Sequence, residues 1–149
     1  NFQGYTVDPA PVLVGVGASA ISNFPQGMTQ NVPANAFYAR AMETMPDSLP
    51  AVRGVRRTGD DRLRGEVIER LMCDLQVDPV AIGARHGASA AWYDGAWPAL
   101  RQAERDGLVV LDGPVVRVTG KGRPFLRNIA SVFDAYHVPA GVKRHAGAL

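Results

Sequence analysis

Leu63, Val67, Ile68, Leu71, Met72 and Leu75 recur at helical spacing through a stretch rich in charge, and they predict an amphipathic helix from Asp60 to about Gln76. Thr58 stands where an N-cap belongs, with Asp60 and Asp61 placed for the first turn. Asp78-Pro79 restarts the chain into a short helix through Val80, Ile82 and Ala84, ending at Gly87. Ser89 is a candidate cap for a third segment carrying Trp92, Tyr93, Trp97 and Leu100. Pro98 lacks an amide donor, so a break is expected near Gly95–Trp97 before the helix continues to Asp106. Past Gly107, Leu108–Leu111 and Val115–Val118 read as two strands around Asp112-Gly113-Pro114. Thr119 would cap a last helix with Pro124 in its first turn, whose buried face is Phe125, Ile129, Val132, Phe133 and Tyr136.

The pattern is weaker upstream. Val12-Leu13-Val14-Gly15-Val16-Gly17 suits a buried strand ending in a tight turn, and Asn23 to Pro33 reads as a loop because of its prolines, glycine and amides. A helix follows from Pro33-Ala34-Asn35 through Phe37, Tyr38, Ala41 and Met42, with a second loop from Pro46 to Pro50. The expected fold is mainly α with a small β-hairpin. It comprises a winged-helix-like domain over residues 33–149 behind a strand-and-loop segment over residues 1–32, and the tail from Pro139 is expected to be loose.

Length and composition narrow the class. A chain of 149 residues with 46% apolar and 20% charged side chains can bury a core of its own. Sixteen basic against fourteen acidic residues give a net charge of +2, which argues against a general polyanion binder. The excess is local: residues 101–149 hold eight bases and four acids, whereas residues 1–50 hold one base and three acids. A single cysteine, Cys73, excludes an internal disulfide, a cysteine zinc site and an iron–sulfur cluster held by this chain alone. No apolar run reaches the roughly 18–20 residues of a membrane span, and the start lacks a signal peptide's basic region, so a soluble, cytoplasmic chain is expected.

Candidate chemistry is sparse. Gly15-Val16-Gly17-Ala18-Ser19-Ala20 matches the G-x-G-x-x-A of a dinucleotide loop, yet no acidic residue closes a second strand about 20 positions on, so small residues at a strand end are the better reading. A winged-helix outline suggests a nucleic-acid-binding or protein-interaction module. The helix that would read a groove is apolar and acidic, with Trp92, Trp97, Asp94 and Glu104, where base readout needs Arg, Lys, Asn or Gln; no nucleic acid is expected as partner. His86, His137 and His145 are scattered and read as surface or packing histidines, and Cys73 as a small buried hydrophobe.

Several strings in order carry a family resemblance. Asn1-Phe2-Gln3-Gly4-Tyr5-Thr6, Leu13 to Ser22, Thr29-Gln30-Asn31, Asp60-Asp61, Leu71-Met72-Cys73, Val118 to Arg123, and Arg127-Asn128-Ile129 with Phe133 to Tyr136 resemble the C-terminal third of the oxygen-independent coproporphyrinogen III oxidase family. Gln30-Asn31 and the Arg127–Tyr136 stretch are more similar to the oxidase branch than to the haem-handling paralogues. The resemblance implies a parent with a radical S-adenosylmethionine barrel whose [4Fe–4S] cluster hangs on a C-x-x-x-C-x-x-C motif. A 5′-deoxyadenosyl radical there takes hydrogen from two propionates of coproporphyrinogen III, which lose CO₂ and give protoporphyrinogen IX.

On this resemblance residues 1–32 are the last segment of that barrel, and the chain is a fragment lacking the N-terminal barrel domain and the cluster cysteines. It would be inactive by itself, a monomer, and would hold neither S-adenosylmethionine nor the cluster stably. The resemblance places Gln3 and Ile21 against S-adenosylmethionine. The substrate's four carboxylates call for cations, and Arg123 and Arg127, one helical turn apart with Lys121 just before them, are the candidates on the closing helix.

Overall fold

The computed structural model describes residue 8 and residues 10–45 and 47–137. Gln3, the opening Asn1–Thr6 string, His145 and the tail from Pro139 lie outside the described residues. The chain divides into two units between Arg62 and Leu63.

In the first unit, strands β1 (Ile21–Phe24), β2 (Gly27–Asn31) and β3 (Ala51–Arg56) form an antiparallel sheet in the order β1-β2-β3, and α1 (Asn35–Thr44) runs between β2 and β3. The stretch read as a loop is therefore a β-hairpin, turned by Pro25-Gln26 between the paired Phe24 and Gly27. Its apolar alternation is inverted: Ser22 and Asn31 are buried while Ile21 and Met28 face out, which hides a strand from any hydrophobic-periodicity argument. Gly27 permits the sheet, because a Cβ there would sit 2.1 Å from the carbonyl oxygen of Val55. The expected strand at Val12–Gly17 is not formed. Only Leu13 bridges Asn23, by backbone bonds of 2.9 and 2.7 Å, and its apolar neighbours stay exposed.

From Leu63 onward the sequence reading holds more closely. Helix α2 (Gly59–Asp74) starts at a reciprocal cap: the Asp61 N–H donates to Thr58 Oγ1 (3.1 Å), and the Thr58 N–H donates back to Asp61 Oδ2 (2.7 Å). It buries Leu63, Val67, Leu71 and Met72. Strand β4 (Gln76–Val77) leads to α3 (Pro79–Arg85), capped by Asp78 accepting from the Ala81 N–H at 2.9 Å. Ser89 starts no helix. Turns and a 3₁₀ segment (Asp94–Ala96) precede α4 (Trp97–Arg105), which begins with Pro98 in its first turn, as the missing donor requires.

Gly107, at φ 72°, stops α4, and Gly113, at φ 56°, turns β5 (Val109–Asp112) into β6 (Val115–Val118). Strand β4 adds to β6, giving a second three-stranded antiparallel sheet in the order β4-β6-β5. Two sheets replace the single expected hairpin. The chain then closes through a 3₁₀ turn (Arg123–Phe125), α5 (Leu126–Ala130) and a second 3₁₀ turn (Ser131–Phe133).

The 3₁₀ entry advances side chains by three residues per turn, so the buried face is Leu126, Ile129, Ala130 and Phe133. Phe125 and Tyr136, expected inside, are exposed. Trp92, Tyr93, Trp97 and Phe133 form an aromatic cluster with ring centroids 5.4–6.5 Å apart. Among the described residues no helix is long and apolar enough to cross a membrane.

Candidate functional site

The Gly15–Ser19 loop lies over the backbone of β1. A Cβ on Gly15 would come within 2.6 Å of the Ile21 carbonyl oxygen, so only glycine allows the crossing. Gly17 (φ 110°) and Ser19 (φ 60°) then turn the chain into the strand. Side chains from three elements hold the loop. The Asn31 amide donates to the carbonyls of Gly15 (3.1 Å) and Gly17 (3.0 Å), Ser22 Oγ accepts from the Gly15 N–H (3.0 Å), and Tyr38 OH accepts from the Gly17 N–H (3.1 Å). Gln30 adds a bond from its Nε2 to the Ser19 carbonyl at 3.1 Å.

The small residues of Gly15–Ala20 thus serve close backbone approach and a tight turn, and a strand follows them where a dinucleotide loop needs a helix. The loop emerges beside Ile21, whose side chain is 53% exposed at the start of β1. Asn31 Oδ1 is buried with no hydrogen-bond partner among the described residues. Sequence reasoning quoted Asn31 only within the family string and missed Ser22 and Tyr38 as loop holders. Their signal was small polar residues at strand positions that should be apolar.

The basic end divides otherwise than expected. Arg127, on α5, is exposed and lines a cleft of about 770 Å³ with Ile68, Met72, Asn128, Asp134 and His137. Arg123 is exposed in the preceding 3₁₀ turn and is not among the cleft's lining, so the two arginines do not share one regular helix. Lys121 is taken up elsewhere: its ammonium donates to the carbonyl of Asp106 at 2.7 Å, capping the end of α4. Ile21 and Arg127 belong to different units.

Other ionisable groups serve structure. Glu66 receives His86 Nε2 at 2.7 Å and the Arg85 guanidinium. Burial pushes the Glu66 carboxyl up, but the bonds from His86 and Arg85 outweigh it and leave it below its ordinary value. Burial, aided by Glu69 and Asp74, raises the thiol of half-buried Cys73, which keeps it a poor nucleophile. Among the described residues no cluster of His, Cys, Asp or Glu could hold a metal ion. On α4, Arg101 stacks over Trp97 at 5.5 Å and Arg105 bonds Gln102, both within the helix, while Glu104 accepts from the Leu111 N–H of β5 at 3.0 Å.

With this geometry in place, residues 58–125 match the family described as HemN C-terminal domain. Over that stretch the chain is similar to a HemN C-terminal domain. Similarity extends beyond that domain. An oxygen-independent coproporphyrinogen III oxidase of Bradyrhizobium diazoefficiens is 40% identical over 149 residues, covering all of this chain and 32% of that protein. One of Cereibacter sphaeroides is 41% identical over 142 residues, covering 93% of this chain and 30% of that protein. A solved structure titled as the Escherichia coli coproporphyrinogen III oxidase HemN, a radical SAM enzyme, superposes with a TM-score of 0.80 at 33% identity, over 92% of this chain and 31% of that one. The chain thus spans about a third of the length of these relatives. The family expected from the sequence strings is the one found.

Proposed function

We propose that this chain is the C-terminal part of an oxygen-independent coproporphyrinogen III oxidase, in which it helps to enclose the substrate and one S-adenosylmethionine. The observation that carries the reading is similarity along the whole chain, 40% identity over 149 residues, rather than in the HemN C-terminal domain alone. In this reading residues up to about 32 continue a barrel formed by the rest of the enzyme, and the unit from Leu63 is a winged-helix-like cap. The order α2, β4, α3, α4, β5, β6 supports that description.

A [4Fe–4S] cluster does not fit this chain, whose one thiol is Cys73. Its ligands would lie in the rest of the enzyme, and no step is derived through it. S-adenosylmethionine fits better. Exposed Ile21 offers an apolar contact for a flat nucleoside beside the pinned Gly15–Ser19 loop, and Gln3 is proposed to bond a polar edge. Arg127, in its cleft, is the better placed of the two candidate propionate partners, with Arg123 exposed one turn earlier.

The deciding experiment supplies the full-length protein, reconstituted anaerobically, with coproporphyrinogen III, S-adenosylmethionine and a reductant. Conversion to protoporphyrinogen IX is expected, and a cluster-loaded protein that leaves the substrate untouched overturns the reading. In that protein Ile21→Asp should weaken S-adenosylmethionine binding by about 1–3 kcal/mol, by setting a charge against an apolar ligand face. Equal affinity in equilibrium dialysis would take Ile21 out of the site.

A further inference from the structure

Ile21, Gln30 and Arg53 are direct partners across the three strands: Ile21 pairs with Gln30, and Gln30 with Arg53. Directly opposed residues share a face of an antiparallel sheet, so the three side chains stand in one row about 10 Å long. The next row on the same face is Asn23, Met28 and Val55. Three of these six positions, Ile21, Met28 and Val55, are exposed apolar side chains. The face is therefore half apolar, with the neutral amides Asn23 and Gln30 between and a single cation at one edge.

The polar groups along it are not equally available. Gln30 uses its Nε2 on the Ser19 carbonyl. Arg53 is exposed, and its guanidinium has no partner among the described residues. No Asp or Glu occurs in β1, β2 or β3. An ammonium is best met by a carboxylate, and this face has none; Asn23 Oδ1, an acceptor without a partner among the described residues, is buried. The face suits a flat apolar body carrying carboxylates alone.

We propose that the Met28, Val55 and Arg53 side of this sheet face seats the tetrapyrrole, next to the Ile21 edge assigned to the nucleoside, and that Arg53 clasps one of its propionates, an assignment that rests on the proposed oxidase reading. The guanidinium fork can meet a carboxylate with two parallel hydrogen bonds, which an ammonium cannot reproduce. The strand beneath the row is held before any ligand arrives, because the side chains of Ser22 and Asn31, on the opposite face, and Tyr38 fix the Gly15–Ser19 loop against the backbone of Ile21. Arg56 provides an internal control. It lies on the same strand, but its partner Gly27 puts it on the opposite face, and it carries the same charge.

The test is fluorescence titration of the full-length protein with coproporphyrin III, the stable oxidised form that keeps all four carboxylates. Arg53→Gln should weaken binding about tenfold or more. Arg53→Lys should recover part of the loss, Arg56→Gln should leave affinity unchanged, and S-adenosylmethionine binding should be the same throughout. The tetramethyl ester, which has no anion to clasp, should bind the parent and Arg53→Gln alike. Unchanged coproporphyrin affinity in Arg53→Gln, an equal loss for the ester, or a loss confined to S-adenosylmethionine overturns the assignment. A parent protein that binds coproporphyrin but tolerates Arg53→Gln fails this inference alone. A parent that binds no coproporphyrin fails it together with the oxidase reading.

Discussion

From Leu63 on, the fully enclosed side chains are mostly large and apolar: Phe133, Leu71, Leu100, Val67, Val109 and Val116. In residues 8–62 they are Asn31 and Ser22, while Val12, Leu13, Val14, Val16, Ile21, Phe37, Val52 and Val55 are exposed. The later unit closes its own core around α2, α4 and the aromatic cluster. The earlier one is organised by hydrogen bonds, with its apolar surface still turned outward. Exposed apolar side chains in that number are what a surface covered by another part of a larger protein presents. In the proposed parent the cover would be the rest of the barrel and the bound ligands.

The sharpest way to separate the two regions is to remove a side chain from each. Phe133→Ala empties the centre of the aromatic cluster and should destabilise the later unit by about 3–5 kcal/mol, read as a lower urea midpoint. A loss below about 1 kcal/mol would mean that the unit is not held by this core. Asn31→Ala should cost the earlier unit about 1–3 kcal/mol and speed hydrogen exchange at the amides of Gly15 and Gly17, with no change at Leu71 or Leu100. Matching acceleration in both regions would erase the distinction.

A smaller effect belongs to Glu66. Its carboxyl is held below its ordinary value in the folded chain, so its contribution is present above the unfolded value near 4.5 and is lost as the pH falls through the folded value. Glu66→Gln should therefore flatten the acid side of the later unit's stability profile below about pH 5 while leaving its shape at neutral pH. A parent and variant that lose stability in parallel on acidification would remove Glu66 from that role. Least of all should happen on Val55→Thr, which removes exposed apolar surface and should shift stability by under about 0.5 kcal/mol. A drop of several times that size would show Val55 to be buried after all.

Legibility followed the same divide only in part, since α1 and the Thr58 cap, both before Leu63, were read from the sequence. Thr58 with Asp61, the α2 stripe, Asp78-Pro79, Pro98 and the Gly107 and Gly113 turns could be read because each residue type has a local physical reason at its position. Strands β1 and β2 could not, since their buried positions are polar and their apolar ones exposed. Strand β3, exposed throughout, has no core face to imprint alternation. Phe125 was misplaced because a 3₁₀ turn shifts the phase of the closing helix, and Lys121 because its carbonyl partner at Asp106 comes from another element. Ile21 entered through family strings, whereas Arg53 became visible only once the register of β2 and β3 was known.

The polar clamp around Asn31 also has a calorimetric consequence. The heat-capacity increment of unfolding grows with newly hydrated apolar area and shrinks with newly hydrated polar area, and averages about 12–15 cal/mol/K per residue in ordinary domains. Residues 8–62 bury Ser22 and Asn31 and leave Val12, Val14, Val16, Val52 and Val55 in water already, so melting them hydrates little new hydrocarbon. Their increment should fall below that average, giving a shallow stability curve over temperature. Residues from Leu63 should show the usual curvature, and a scanning calorimeter would then record two melts of different shape in a single chain.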